Sequence, residues 1–559
     1  MSKANPFVTI NDFIPKSVQI LRSGYSRSML TKDIFAGITV GVIALPLAIA
    51  FAIGAGATPA QGLWTAIIAG FAISALGGSR YQVAGPTGAF VVIIAGVIAD
   101  HGMDGLIAAT AMAGVLLVII GASGLGKLIK FIPYPVTIGF TTGIGVIIAG
   151  GQIKDFFGLS IPVYPAEFFA RIAEAARYSG TLDLPTFGLG AATVACILLL
   201  RKFAPKIPGA IVAVALVSAA TYLFKIPVET IGSRYGAIPK GLPTMRLPIA
   251  DWATIRAVFP SAVTIALLGS IESLLSAVVA DGMTGDRHNA NMELVAQGAG
   301  NVLSSLFGGI PATGAIARTA ANIKNGSASP ISGMIHAIVL FVFTLFLSGL
   351  ASAIPLTALS AILLVVAWDM SELRHFLHMR YAPKSDLIVM LVTFGLTVAI
   401  DLTVAVEVGV LLAVFLFIRR VSETSAFGPV IDLQDADSAG EAPLRLPKGV
   451  EAYEISGPFF FGTADLLQEA LEQVQKAPKA FILRLRRVPS IDATGINALA
   501  TFRTHCSKHG TTLILSGVLE QPRKALDSIG LTERIGPDNI FENIDSALER
   551  AAEIAGGRG

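Results

Sequence analysis

GPTGAF at residues 85–90 and IPATGAI at residues 310–316 are one phrase written twice. Each places a proline one or two residues ahead of Thr-Gly-Ala, at Thr87-Gly88-Ala89 and at Thr313-Gly314-Ala315. Each opens a short apolar segment, at corresponding places in the two halves of a long apolar region. A helix that begins in mid-membrane leaves its first N–H groups without intrahelical partners and turns its positive dipole end toward one point. Two such starts facing each other make an anion site without a buried lysine. Short, Gly/Pro-interrupted segments at matching positions of two halves also mark a transporter's substrate site.

Composition sets the surroundings of that phrase. Of 559 residues, 53% are hydrophobic and 14% charged, and the mean hydropathy is +0.70. Soluble chains carry about 25% charged residues, so this is a polytopic membrane protein. Glycine and proline follow no collagen-like or linker-like period. Two cysteines, Cys196 and Cys506, give neither a disulfide framework nor a zinc cluster. A net charge of +3 does not point to nucleic acid, and nothing calls for a cofactor.

The first 33 residues lack an apolar run with a small-residue cleavage site and read as a cytoplasmic segment. Apolar segments then fall near 34–55, 60–77, 86–100, 105–123, 133–151, 186–201, 209–224, 258–280, 290–307, 313–322, 329–350, 354–368, 385–400 and 402–418. That predicts about 14 spans in a transport domain over 34–420, several too short for the roughly 20 residues of a full crossing. Arg80, Lys127, Lys130, Arg201, Lys202, Lys206, Arg374, Arg380, Lys384, Arg419 and Arg420 fall on one side if both termini are cytoplasmic, as the positive-inside rule favours.

After Arg420 the composition changes. A polar linker over 421–447 contains Asp432, Asp435, Asp437 and Glu441. Beyond it, 448–555 read as a small α/β domain, with strands at 450–455, 480–485 and 511–515 and amphipathic helices at 464–475 and 496–505.

One acid stands inside the apolar region. In IALLGSIESLLSAVVADGMTG, residues 265–285, Glu272 is the only charged residue between Arg256 and Asp281. A carboxylate at bilayer depth costs about 2.5–3.5 kcal/mol on insertion scales and is a functional candidate by default. Because burial disfavours the charged form, it suits a group that takes up and releases a proton, with Ser276 one turn on to hydrogen-bond it or share an ion. The bland alternative is a neutral acid that only bridges helices.

GPTGAF, GSIESLLSAVVADGMTG, HNANMELVAQGAGN (288–301) and PATGAIARTAAN (311–322) together resemble the SulP anion transporters, solute carrier family 26. The end of the chain resembles a STAS domain, with its signature loop as Asp492-Ala493-Thr494-Gly495. IKDFFGL (153–159) and SPISGMIH (329–336) are similar to the C4-dicarboxylate carriers of that family. The resemblance implies seven-plus-seven inverted repeats, a core group of helices moving against a gate group, and an anion held by main-chain groups of Thr87, Gly88, Ala89, Gly314, Ala315 and Ile316. It implies a contribution from the first helix near Pro46–Phe51, where Leu47, Ala48 and Ile49 offer no polar side chain. It also gives Glu272 and Ser276 the ion-coupling place, where sodium-linked relatives carry an aspartate with a threonine or serine one turn on; glutamate favours a proton.

Arg318 lies one turn beyond Gly314. It either complements a second charge on the anion or faces the cytoplasm paired with an acid. Asp401 and Glu407 read as packing and capping groups, and His375 and His378 as parts of a basic loop. In other STAS proteins the place of Thr494 can hold a phosphorylatable serine at a helix start; its other reading is a cap and docking surface. Such domains bring protomers together or bind regulators, which implies a homodimer. No GxxxxGK[ST] loop indicates a nucleotide-driven pump, and no Ser/His/Asp arrangement indicates an enzyme. The expected function is proton-coupled uptake of C4-dicarboxylates such as succinate or fumarate; the alternatives are sulfate or bicarbonate transport, or an uncoupled exchanger or channel.

Overall fold

The computed structural model describes residues 13–126, 133–165, 167–205, 207–241, 243–245, 251–400, 402–424, 426–430, 446–460 and 477–556. Asp401, Lys127, Lys130, Lys206, the linker acids 432–441 and the helix expected at 464–475 lie outside the described residues. The chain divides into two compact units, residues 1–410 and 411–559.

The first unit is helical. In chain order it runs α1 (Lys16–Gly24), α2 (Arg27–Gly54), α3 (Pro59–Leu76), strand β1 (Ala84–Gly85), a 3-10 turn (Gly88–Phe90) and α4 (Val91–Ala122). It continues with α5 (Tyr134–Phe157), α6 (Phe168–Arg177), α7 (Leu184–Phe203), α8 (Gly209–Leu223), α9 (Ile231–Tyr235), α10 (Trp252–Thr284) and α11 (Ala290–Leu306). Strand β2 (Thr313–Gly314) leads into α12 (Ile316–Lys324), α13 (Ile331–Phe346), α14 (Ser348–Ser352), α15 (Leu356–Met370), α16 (Leu373–His378), α17 (Lys384–Ala399) and α18 (Leu402–Thr424). Among the described residues, eight helices are long and apolar enough to cross a membrane, and α8 and α13 are shorter apolar helices.

Local chemistry sets the helix ends. Thr58 and Gln61 form a capping box at α3, with Pro59 in the first position, where its missing N–H costs nothing. Asp251 and Asn289 cap α10 and α11 through the Thr254 and Met292 amides. The segments expected at 86–100 and 105–123 are two helical stretches parted at Gly102 (φ 68°, ψ −172°), a backbone that only glycine takes cheaply. The first Thr-Gly-Ala motif therefore opens a broken long run, whereas the second opens nine-residue α12. Helices α2, α3, α4, α10, α11 and α13 pack on one another, and α5 with α15 and α17, with α7 joining α8 and α15. These are the core and gate groups that the resemblance implied.

The second unit carries a five-stranded sheet in the order β3 (Ala426–Pro429), β4 (Val450–Ser456), β5 (Ala480–Arg487), β6 (Thr512–Ser516), β7 (Ile540–Phe541). All neighbours are parallel except the antiparallel pair β3–β4. Strand alternation sends Phe481, Leu483 and Leu485 to one core with Leu499, Phe502 and Leu526, and Ala480 and Ile482 to the other with Ile544 and Leu548. The expected linker starts too early: α18 runs to Thr424 and residues 426–429 join the sheet. Their Ala-Phe-Gly-Pro shows no alternation; the pairing rests on Phe427 stacking over Tyr453, centroids 5.1 Å apart.

Candidate functional site

The two copies of the phrase meet. β1 and β2 pair antiparallel, Ala84 opposite Gly314 and Gly85 opposite Thr313, and the Ala315 amide donates to the Val83 carbonyl at 2.9 Å. Each strand then enters a helix: Thr87 precedes the 3-10 turn and Ala315 precedes α12, and neither supplies a side-chain cap. The first N–H groups inside both helices therefore have neither an intrahelical nor a side-chain-cap partner. The buried Thr87 hydroxyl has no hydrogen-bond partner among the described residues, and Ile316 is 37% exposed.

Side chains remote in sequence hold the crossing in place. Glu293 of α11, fully buried, accepts from the Gly78 and Ser79 amides (2.9 and 3.0 Å) and from the side-chain amides of Gln82 and Gln297 (both 2.9 Å). Asn301 binds the Ala312 amide and carbonyl, both at 2.8 Å. Thr65 accepts from the Ile310 amide at 2.7 Å. From α10, Ser273 accepts from the Gly314 amide at 3.1 Å. A side chain at Gly314 would run into the Gln82 amide, with the Ser273 Cα 3.1 Å away.

Ser276 is turned toward α12, not toward Glu272. Its hydroxyl donates to Thr319 at 3.1 Å, and Thr319 in turn accepts from the Val83 amide at 3.1 Å. Four residues along a helix rotate a side chain by about 40°, enough to put Ser276 on the α12 side. Glu272 itself is half-buried and accepts no hydrogen bond among the described residues.

Ala48 packs against α3. It is fully buried and its carbonyl packs on Gly62 of α3, where a side chain would collide. The α2 residue that reaches the first helix start is Phe51, whose ring stands 3.3 Å from a Cβ position on Gly88, beside Met370 (2.6 Å) and Ile148 (3.6 Å). An apolar roof from α2, α5 and α15 thus covers Gly88.

Arg318 is not paired with an acid among the described residues. It is 2% exposed; its Nη2 donates to the Pro86 carbonyl at 2.5 Å, and its Nη1 has no partner among the described residues. A buried guanidinium without a counter-charge stands beside β1, within the positive field of the helix starts. His375 faces Glu372, with Nδ1 3.5 Å from its carboxylate, and Glu407 is exposed. In the second unit, Thr494 is exposed in the first turn of the helix Ala493–Lys508, which Asp492 caps through the Gly495 amide at 2.8 Å.

The reading missed Glu293, although it quoted the stretch that contains it. Its signal was an acid among small and amide side chains, with Gln297 one turn on.

Crossed strands with two uncapped helix starts, set among apolar helices and joined in sequence to an α/β unit, define a membrane transporter of small anions rather than an enzyme. The chain belongs to the sulfate permease family, whose profile matches residues 30–393, and a STAS domain matches 442–547. It is 42% identical over 526 residues to YvdB of Bacillus subtilis, provisionally named a sulfate transporter, covering 93% of this chain and 98% of that protein. It is 32% identical over 550 residues to the bicarbonate transporter BicA of Picosynechococcus sp., covering 93% and 94%. In fold it is similar to the murine Slc26a9 anion transporter in the inward-facing state, with a TM-score of 0.88 at 18% identity over 99% of this chain and 96% of that one. Sulfate and bicarbonate, not a dicarboxylate, stand in the names of these relatives, which corrects the expected likeness to dicarboxylate carriers.

Proposed function

We propose that the chain moves a small oxyanion, of the sulfate or bicarbonate class, through a site between the starts of the 3-10 turn and α12. The observation that carries this reading is the pair of uncapped helix starts behind β1 and β2, with the unpaired Arg318 guanidinium beside them. Main-chain amides and a guanidinium take any small oxyanion, and the names of the relatives favour sulfate and bicarbonate over succinate. Glu272 couples transport to a proton: it is the carboxyl of α10 that stays unbonded, while the Ser276 hydrogen is committed to Thr319. The STAS domain joins two copies of the chain, and Thr494 is where a phosphate would sit at a helix start.

The test is uptake of labelled sulfate, bicarbonate and succinate by proteoliposomes, each with and without an inward proton gradient, in sodium-free buffer. Sulfate or bicarbonate accumulates and the gain collapses with a protonophore. Glu272→Gln loses accumulation yet keeps downhill flux. Uptake that needs sodium removes the proton from the cycle, and accumulation of succinate alone returns the substrate to the dicarboxylates.

A further inference from the structure

The first unit contains a cavity of about 330 Å³ between α4, α5, α6 and α17 that plays no part in the reading above. Gly54, Val91 and Ile148 line it. Val91 directly follows the 3-10 turn, and Ile148 is the same side chain that roofs Gly88. One layer of apolar side chains therefore separates this cavity from a helix start of the candidate site.

Arg171 of α6 lines the same cavity. The α6 segment is fastened to α5: the Phe168 ring packs on Gly150, and the Tyr164 hydroxyl donates to the Gly150 carbonyl at 2.7 Å. Arg171 spends only Nε on the protein, donating to the Pro165 carbonyl at 2.6 Å, and its guanidinium lies 5.6 Å from the Tyr164 ring centroid. Nη1 stands 3.4 Å from a Cβ position on Gly151, which also lines the cavity. Burial pulls the Arg171 pKa down, and no carboxylate offsets it. Asp100 and Glu167 line the same cavity, but both are exposed, and neither is ion-paired with Arg171. A partly buried guanidinium whose two Nη groups make no hydrogen bond among the described residues, at the lining of such a cavity, is a receptor for an oxyanion.

We infer that this cavity is the antechamber by which the anion reaches the helix starts from the α6 side, and that Arg171 is the specificity-determining residue that admits it. The inference rests on the transport reading. The anion exchanges part of its hydration for the two Nη groups, then crosses the Val91–Ile148 layer when the helix groups move apart. If Arg171 only anchored α6, replacing it would change stability or maximal rate, not the apparent affinity on one side.

The experiment uses the full chain in right-side-out and everted membrane vesicles, with labelled sulfate and labelled bicarbonate as probes. Arg171→Gln raises KM about tenfold for anion offered on one face and leaves KM on the other within about twofold, the loss of one charge-assisted contact of about 1.4 kcal/mol. Arg171→Lys, which keeps the charge, recovers most of the affinity. Equal KM changes on both faces, or an unchanged KM with a lower maximal rate, overturn the antechamber. Absence of uptake of either anion by the unaltered chain overturns the transport reading and this inference with it.

Discussion

Gly314 shows how far a single residue decides the site. Its lack of a side chain lets β2 lie against the Gln82 amide and Ser273. Gly314→Ala therefore forces apart the crossing that aims both helix starts, at a cost of about 1–3 kcal/mol of overpacking. Thermal unfolding in detergent and anion binding by calorimetry will both show the loss. Gly349→Ala, with nothing within 4 Å of its Cβ position, leaves both unchanged. Cys506 supplies a second test at this scale: burial pushes its thiol from 9.0 up to about 12. The folded state holds the proton longer than the unfolded one, so this contribution to stability is intact below pH 9 and lost as pH rises toward 12. Mass spectrometry after iodoacetamide treatment at pH 9 will find Cys506 unlabelled until denaturant is added. The Thr-Gly-Ala motifs were legible in sequence because a close backbone crossing needs small residues at fixed places. The packing of Phe51 over Gly88 was not, since helix rotation depends on how α2 packs on α3.

At the scale of elements, the segments before β1 and β2 are loops held by side chains of helices far along the chain. Glu293→Ala would leave the Gly78 and Ser79 amides and two glutamine side chains without their acceptor. Unsatisfied buried groups cost about 1–3 kcal/mol each, so the variant unfolds well below the unaltered protein in a thermal scan. Glu293→Gln falls between, because its one oxygen still accepts from the Gly78 or Ser79 amide. Equal stability of all three would remove Glu293 from this role. The partners of such a clamp are not legible from the local pattern around Glu293: it lies 215 residues from Gly78, and an acid in the first turn of a helix also reads as ordinary dipole matching. Span positions, in contrast, were legible almost throughout, because runs of apolar residues ended by Gly, Pro and charge follow from the bilayer itself. The break at Gly102 was legible as well, because Asp100, His101 and Asp104 interrupt the apolar run where the left-handed backbone parts the two helices.

At the scale of the whole molecule, the two units stand on separate cores, and every residue of the candidate site comes from the first. Where the second begins is a physical question with a measurable answer. Composition places its start near residue 448, since the preceding stretch is polar and acidic, but β3 pairs with β4 through four residues, Ala426 to Pro429. Phe427 stacks on Tyr453, which stacks on Phe481 at 5.2 Å, so β3 closes one end of a ring stack that reaches the core. A soluble fragment of residues 446–559 lacks that strand and exposes the β4 edge, an invitation to edge-to-edge association. It also loses one aromatic pair and the cross-strand contacts, together about 1–3 kcal/mol. A fragment of residues 425–559 keeps them. Urea unfolding will give the longer fragment the higher midpoint, and size-exclusion chromatography will show the shorter one associating as concentration rises. Equal midpoints with equal elution would mean that β3 contributes nothing to the second unit and that its boundary lies where composition changes.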